Sequence, residues 1–171
     1  NTGTAFAISS AGVITTAASL DYETTTSYTL TLVAYDSVSS DVATVTITVN
    51  NINDAPSAGV DQSGSVTEDA STTTATGTVT GADADTADTL SYATSSTSGT
   101  YGTFAINSAT GAWTYTLDNS DADTTALDSG DSVTDSYTIT VSDNGVGTLS
   151  DTMTVTVTIS GANDAPTVAT A

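Results

Sequence analysis

Residues 151–159 have the sequence DTMTVTVTI, and residues 41–49 have the closely similar sequence DVATVTITV. In both stretches apolar side chains alternate with threonine, a period of two that is typical of a β-strand with one buried face. Threonine also favours strands because its Cβ is branched. The same alternation recurs in three further stretches, which begin at Tyr28, Trp113 and Tyr137. These five stretches predict an all-β protein built from antiparallel β-sandwiches, with Trp113 in a core.

The chain also repeats itself. Asp41 and Asp151 begin the two stretches quoted above, and the tetrapeptide NDAP begins at Asn53 and again at Asn163, so both pairs lie 110 positions apart. Self-similarity at a fixed interval is the signature of a repeat array. We therefore expect the C-terminal half of one repeat in residues 1–56, a complete repeat in residues 57–166, and the start of the next repeat in residues 167–171.

The first of these segments is expected to be incomplete as a sandwich. A half sandwich has a partial core and open strand edges, which isolated domains avoid. Two interpretations stay open at this point: residues 1–56 are an excerpt of a longer array, or strands from another chain complete them. A foreign strand beside Val45 to Val49 would support the second interpretation.

Charge restricts the chemistry of the chain. It contains 20 Asp and Glu residues and no Lys, Arg, His or Cys, so its formal charge is -20. Nucleophilic triads, phosphate-binding loops, zinc sites and thiolate sites all need residues that are missing. Nucleic acid is an improbable partner because Lys and Arg make most phosphate contacts, and no apolar run approaches the ~20 residues that cross a bilayer. Oxygen ligands remain, and they select hard cations, calcium above all.

Carboxylates cluster in the predicted loops. Asp21 and Glu23 form one pair, and Asp83, Asp85 and Asp88 follow a predicted strand. Two carboxylates about 4 Å apart repel by roughly 4 kcal/mol at an effective dielectric constant of 20. Because the chain supplies no cationic side chain, a bound divalent ion explains this clustering. The remaining isolated acids are interpreted as solvated surface or turn residues: Asp41, Asp61, Asp128, Asp131, Asp135 and Asp151.

Several segments together resemble a known family. FAISSAGVITTAASLDYE, SYTLTLVAYD and VTITVNNINDAP resemble the later half of a bacterial cadherin-like domain. VTED, GADADTADTLSY, GTFAINSATGAWTYTLDNSDAD, SYTITVSD and GANDAP resemble the VCBS repeat of giant bacterial surface proteins of the RTX adhesin type. The resemblance implies tandem Ig-like, cadherin-like β-sandwiches, the first one incomplete, with calcium held where consecutive domains join.

The resemblance also implies a set of calcium ligands. For the junction inside this chain they are Asp21, Glu23, Asn53, Asp54, Asp83, Asp85 and Asp143. For the next junction they are Glu68, Asp118, Asn163 and Asp164, with Asp69, Asp121 and Asp123 as further candidates, and Asp36 would serve a preceding junction. Asn51 stands where the family has Asp, so at least one ion is expected to bind more weakly.

Three classes of function follow from these patterns. The first is a calcium-rigidified extender repeat of a secreted bacterial adhesin or extracellular filament, whose partners are neighbouring repeats and, in a donor-strand fibre, other copies of the chain. The second is a calcium-dependent carbohydrate-binding module, which predicts an open calcium position beside an exposed tyrosine. The third, an enzyme with paired carboxylates, is disfavoured because the acidic pairs lie in loops without a cleft motif. The expected location is extracellular, at the cell surface or in a secreted matrix.

Overall fold

The fold is all-β, as the alternating pattern predicts. The structure is a computed structural model that describes residues 5–165. The described strands are β1 (Phe6–Ile8), β2 (Ile14–Thr16), β3 (Ser27–Tyr35), β4 (Ser40–Thr48), β5 (Ser57–Ala58), β6 (Gln62–Thr67), β7 (Thr74–Thr78), β8 (Gly81–Ala82), β9 (Ser91–Thr94), β10 (Gly102–Ile106), β11 (Ala112–Leu117), β12 (Ser132–Ser142) and β13 (Ser150–Ser160). No helix in this part of the chain is long and apolar enough to span a membrane.

The chain divides between Ile52 and Asn53 into two compact units, called unit 1 and unit 2 in chain order. The predicted repeat boundaries at residues 56 and 166 stay predictions. The segment 167–171, expected to begin a further repeat, lies outside the described residues.

Unit 1 contains two antiparallel hairpins. Strand β1 pairs with β2, and β3 pairs with β4 over nine residue pairs, from Ser27 with Thr48 to Tyr35 with Ser40. The Phe6 ring meets the Tyr28 ring edge-on, with 5.0 Å between the ring centroids. No side chain among residues 5–52 is fully buried. The described part of unit 1 is therefore a pair of hairpins with a thin apolar layer, and its completion by another chain stays a prediction.

Unit 2 is a sandwich of two larger sheets. One sheet has the strand order β10-β11-β7, the other has the order β6-β13-β12-β9, and β5 pairs with β8 in a small separate sheet. Strands β12 and β13 form the longest hairpin, with Ser132 opposite Ser160 and Ser142 opposite Ser150. One described pairing differs from the predicted antiparallel pattern, because β6 runs parallel to β13. The period of two is the same in either direction, so alternation does not distinguish them.

Aromatic side chains join the two sheets in the core. Trp113 is 2 % exposed, which confirms its predicted place in a core, and Tyr115 is fully buried. Phe104 stacks on Tyr137 with 4.4 Å between ring centroids and on Trp113 with 5.7 Å. Strand β12 adds Ile139 to the same layer. Alternate residues of each strand therefore build a continuous apolar layer between the sheets.

The isolated acids differ in exposure. Five of the six that were interpreted as surface residues are exposed, namely Asp41, Asp61, Asp128, Asp131 and Asp151. The interpretation is wrong for Asp135, which is 5 % exposed. Asp135 lies two residues before Tyr137 on β12, so its side chain shares the inward face. Three hydrogen-bond donors compensate for its burial.

We expect Gly77→Ala to destabilise unit 2. A Cβ at Gly77 would lie 2.6 Å from Cζ2 of Trp113, and the indole has no room to move inside the core. Overpacking of this kind typically costs about 1 to 3 kcal/mol of unfolding free energy. Chemical denaturation followed by Trp113 fluorescence measures the loss. The exposed neighbour Thr76→Ser is the control, and equal unfolding free energies for both variants would contradict the prediction.

Candidate metal centre

The loop after β8 gathers three carboxylates within six residues. Asp83 accepts a hydrogen bond from the backbone N–H of Asp85 at Oδ1 (2.9 Å), and the backbone N–H of Asp88 donates to the carbonyl of Asp85 (2.9 Å). These two bonds close a tight turn typical of aspartate-rich loops. Asp85 is 7 % exposed, and Asp83 and Asp88 are partly buried. The turn therefore keeps three negative groups together and partly away from water.

Asp143 completes this group from a second loop. It follows β12 and is 3 % exposed. Its Oδ1 accepts hydrogen bonds from the backbone N–H groups of Gly145 (3.1 Å) and Leu149 (3.0 Å). Thr148 in this loop has a φ of 44°, a left-handed conformation that is rare for a β-branched residue. Asp143 thus holds together a loop whose backbone is locally strained.

The first residues of unit 2 are attached to the same loops. The side-chain amide of Asn53 donates to Oδ2 of Asp143 (2.9 Å), and the backbone N–H of Asp54 donates to Oδ2 of Asp85 (2.8 Å). Gly145 has no room for a side chain, because a Cβ there would overlap Oδ1 of Asn53. The segment through which the chain enters unit 2 is therefore fixed by two carboxylates of the acidic loops.

Oxygen atoms of Asp83, Asp88 and Asp143 lie within 4.8 Å of one another. Oδ2 of Asp83 and Oδ2 of Asp88 are buried and have no hydrogen-bond partner among the described residues. Unpaired buried carboxylate oxygens are costly, and a hard cation with oxygen ligands removes that cost. Three converging carboxylates, two with unpaired oxygens, fit a calcium ion. Asp83, Asp88 and Asp143 would hold it.

The pKa of Asp88 reflects the same lack of compensating partners. Removal from water raises the pKa of this carboxyl above its ordinary value, and the nearby charges of Asp85, Asp143 and Asp83 raise it further. A raised pKa means that the ionised form is disfavoured in the folded chain. The loop is therefore short of positive charge when it binds no cation.

Most predicted ligands of unit 2 at this end come together. The hydrogen bonds above join Asn53 to Asp143 and Asp54 to Asp85, and Asp83 lies in the group of three oxygens. Asp88 was not among the predicted ligands. The sequence feature that could have identified Asp88 is the close spacing of three acids over residues 83–88. The family pattern uses only the first two of them. The ligand roles themselves stay predictions.

The other end of unit 2, where β13 reaches Gly161, carries the second predicted ligand set. Glu68 is 2 % exposed, and its Oε2 accepts the backbone N–H of Ala162 (3.2 Å). Oδ1 of Asp118 accepts the hydroxyl and the backbone N–H of Ser120, which lower the pKa of this aspartate. The amide of Asn163 donates to the carbonyl of Asp164 (3.1 Å). Among residues 5–165, acids of this end do not form a group of three converging oxygens like that of Asp83.

Three further acids of this end, Asp69, Asp121 and Asp123, complete the predicted set. Asp69 has a φ of 55°, and its backbone N–H donates to Oδ1 of Asn119 (3.4 Å). Oδ1 of Asp121 accepts the backbone N–H of Asp123 (2.8 Å). These acids line the loops around Asp118, and their ligand roles stay predictions.

The predicted ligands of unit 1 lie in turns. Asp21 follows β2. It accepts hydrogen bonds from the backbone N–H (3.0 Å) and the hydroxyl (2.8 Å) of Thr24. Both bonds lower the pKa of Asp21, and the hydroxyl contributes most. Glu23 lies in the same turn. Asp36 lies between β3 and β4, where the backbone N–H groups of Ser39 and Val38 lower its pKa. Their roles as calcium ligands stay predictions.

Family models match two parts of the chain. The family model of the bacterial cadherin-like domain matches residues 53–161. The chain belongs to the bacterial cadherin-like domain family. The cadherin domain model matches residues 1–50. Cadherin domains are extracellular modules, typically calcium-binding and adhesive or structural rather than enzymatic. No curated protein matches the chain significantly.

Solved structures of tandem cadherin domains share the fold of this cadherin-like chain. Mouse cadherin-23 EC22–24 is 22 % identical with a TM-score of 0.62, and the match covers 94 % of this chain and 51 % of that one. Human CDH23 EC21–23 is 21 % identical with a TM-score of 0.64, covering 93 % and 56 %. Human mucin-like protocadherin EC1–2 is 20 % identical with a TM-score of 0.57, covering 94 % and 80 %. The chain thus spans about half the length of the two cadherin-23 structures, and the tandem all-β sandwich prediction is confirmed.

We expect Asp88→Asn to stabilise unit 2 without calcium and to weaken its response to calcium. The folded state holds the Asp88 proton more tightly than the unfolded state, so this group lowers stability as pH rises through its raised pKa. The amide removes that loss, but it also removes a charged ligand. Thermal melts at neutral pH in chelator and in calcium measure both effects.

The exposed variant Asp128→Asn is the control, because it removes the same charge from unit 2 away from the three converging oxygens. Its melting temperature should change little in either buffer. An Asp88→Asn chain that is less stable than wild type in chelator, or that keeps the full calcium response, would contradict the prediction.

Proposed function

We propose that this cadherin-like chain is a calcium-rigidified extender segment of a secreted bacterial adhesin or extracellular filament. The observation that carries the proposal is the meeting of Asp83, Asp88 and Asp143 beside the residues that lead into unit 2. We also propose that the segment is a VCBS-type repeat of a giant RTX surface protein. In this proposal residues 1–56 are the end of one repeat and residues 57–166 are a whole repeat. Residues 167–171 are the start of the next one.

The balance of charge supports a cation as part of the folded protein. The chain has a formal charge of -20 and no cationic side chain, so no side chain of its own can neutralise the repulsion within the acidic loops. Calcium sites of extracellular modules have dissociation constants of about 10⁻⁴ to 10⁻³ M. At ten to a hundred times that concentration, each ion adds roughly 1.4 to 2.7 kcal/mol to the free energy of unfolding. A protein outside the cell can obtain this stabilisation from its medium.

The hydrogen bonds of the linker suggest how such an ion would act. Asn53 is bonded to Asp143, and the backbone of Asp54 is bonded to Asp85, so the acidic loops set the direction in which the linker leaves unit 2. An ion held by Asp83, Asp88 and Asp143 would keep these loops from separating. We propose Asp21 and Glu23 as the ligands contributed by unit 1. Ions shared in this way would restrict bending and turn a string of domains into a stiff extension.

The alternatives have less support. The family to which the chain belongs consists of structural and adhesive modules, which argues against the paired-carboxylate enzyme. The matching families and structures give no support to the carbohydrate-binding alternative. Other copies of the chain remain proposed partners, since the relatives include a protocadherin structure described as a cis-dimer.

We expect chelation to lower the melting temperature of the full chain. For a unit of this size, the loss of one ion corresponds to roughly 5 to 10 °C, from the stabilisation above and a shift of about 4 °C per kcal/mol. Calorimetry in 10 mM calcium and in excess chelator measures the difference. Asp83→Asn should reduce it and the exposed control Asp61→Asn should not. Identical melting curves in calcium and in chelator would refute the proposal.

We expect calcium to narrow the distribution of distances between the two units. The chain has no cysteine, so spin labels can be attached to Thr46→Cys in unit 1 and Thr138→Cys in unit 2. Pulsed electron spin resonance then reports the width of the distance distribution. Calcium should narrow it in the parent chain and much less in a chain carrying Glu23→Gln and Asp54→Asn. Equal widths with calcium and with chelator would rule out the stiffening role.

A further inference from the structure

The loop between β12 and β13 contains Asn144 and Gly145, the one place in the sequence where glycine follows asparagine. Asparagine is thermolabile because the backbone nitrogen of the next residue can attack the side-chain amide carbon. The two groups are neighbours in the covalent chain, so their effective concentration is high. Glycine adds no Cβ to hinder the approach. Asn144 is exposed, and Val146 in the same loop is 94 % exposed, so water reaches the amide.

Packing fixes the glycine of this pair. A Cβ at Gly145 would overlap Oδ1 of Asn53 and would lie 2.5 Å from Oδ2 of Asp88. The Asn53 side chain cannot withdraw without losing its hydrogen bond to Asp143 (2.9 Å). A larger residue is therefore excluded beside Asn144, and the fold itself retains the pair that reacts.

The hydrogen bonds of the loop favour the attack. Oδ1 of Asn144 accepts the backbone N–H of Thr89 (2.7 Å). A donor at this oxygen withdraws electrons from the amide carbon, and it stabilises the negative charge that develops on the oxygen as the nitrogen adds. The N–H of Gly145 donates to Oδ1 of Asp143 (3.1 Å) and not across the β12–β13 ladder. The attacking nitrogen therefore lies outside the regular sheet.

Two other asparagines provide internal references. Asn107 and Asn119 are each followed by serine, whose Cβ hinders the attack. Asn107 is exposed like Asn144, so its amide is equally open to water. Its Oδ1 accepts the backbone N–H groups of Ala109 and Thr110 (3.0 Å each), which hold the side chain in an Asx turn. Neither reference combines a following glycine with an exposed loop.

We propose that Asn144 is a self-modification site, at which the folded chain slowly converts asparagine to aspartate and isoaspartate. The backbone nitrogen of Gly145 bonds to Cγ of Asn144, the bond from Cγ to Nδ2 breaks, and ammonia leaves with the proton of the attacking nitrogen. Water then opens the cyclic imide at either carbonyl, which gives aspartate or isoaspartate. Water is consumed, ammonia is released, and nothing is oxidised or reduced. The inference depends neither on a metal nor on the proposed function.

The two products affect the loop differently. Aspartate keeps the oxygen that accepts the Thr89 N–H, and it adds a negative charge next to Asp143 in a chain whose formal charge is already -20. Isoaspartate carries the backbone through its side chain, which adds one methylene between Asp143 and Gly145. The added length displaces Gly145, which packs against Asn53 without spare room. We therefore expect the isoaspartate form to melt about 4 °C or more below the unmodified chain.

The test is an ageing series of the full chain at neutral pH in chelator, analysed by peptide mass spectrometry. A protease that cleaves before aspartate but not before isoaspartate distinguishes the products. We expect Asn144 to convert at least tenfold faster than Asn107 and Asn119. Asn144→Gln should stop conversion in this loop, because the larger imide ring of glutamine forms far more slowly. The matched variant Asn107→Gln should leave the conversion rate of Asn144 unchanged.

Three results would overturn the proposal or its consequence. Equal conversion of Asn144 and Asn107 in the folded chain overturns the site. Conversion of Asn144 in urea but not in native buffer also overturns it, because the folded loop would then protect the amide. Isoaspartate material, separated by ion exchange, that melts together with the unmodified chain overturns the effect on the loop. If Asn144→Gln does not fold, the comparison of the three asparagines within the wild-type chain decides.

Discussion

Negative charge without any cationic side chain is the constraint on which the rest of this structure depends. The chain has 20 carboxylates, and backbone N–H groups, hydroxyls and side-chain amides are the donors it can offer them. Asp61 accepts the N–H of Thr154 at 2.7 Å, and Asp151 accepts that of Ala58 at 2.9 Å. These bonds tie β13 to the start of unit 2. The carboxylates therefore replace salt bridges as the polar contacts between segments that are distant in sequence.

Alternation explains how much of the fold was predictable. In a strand with one buried face, each side chain is assigned to a face by its position, so the strands and Trp113 in the core followed directly. Asp135 was also in phase with Tyr137 and Ile139, and its burial could have been inferred from that phase. An aspartate can take this inward position because three donors of the sandwich satisfy both of its oxygens. The parallel pairing of β6 with β13 left no trace in the pattern, because strand direction does not change the period.

The internal repeat was predictable, but its exact geometry was not. SYTLTLVAYD at residues 27–36 has two more residues than SYTITVSD at residues 136–143. Tyr28 pairs with Ile47, whereas Tyr137 pairs with Val155, the counterpart of Val45 in the repeat. The hairpins thus differ in register by two residues. Two is the period of a strand, so the change preserves which side chains face inward.

The balance between hydrogen-bond donors and carboxylate oxygens distinguishes carboxylates that need a cation from those that do not. Asp135 lies on β12 and Asp143 directly after its end, about 27 Å apart at 3.4 Å per residue, and both are buried. Donors of the sandwich itself satisfy both oxygens of Asp135, so its charge is stabilised without a metal. Asp143 has donors too, but it faces Asp83 and Asp88, each with one buried oxygen that has no partner among the described residues. Burial alone therefore does not identify a calcium ligand in so acidic a chain; unpaired oxygen atoms that converge do.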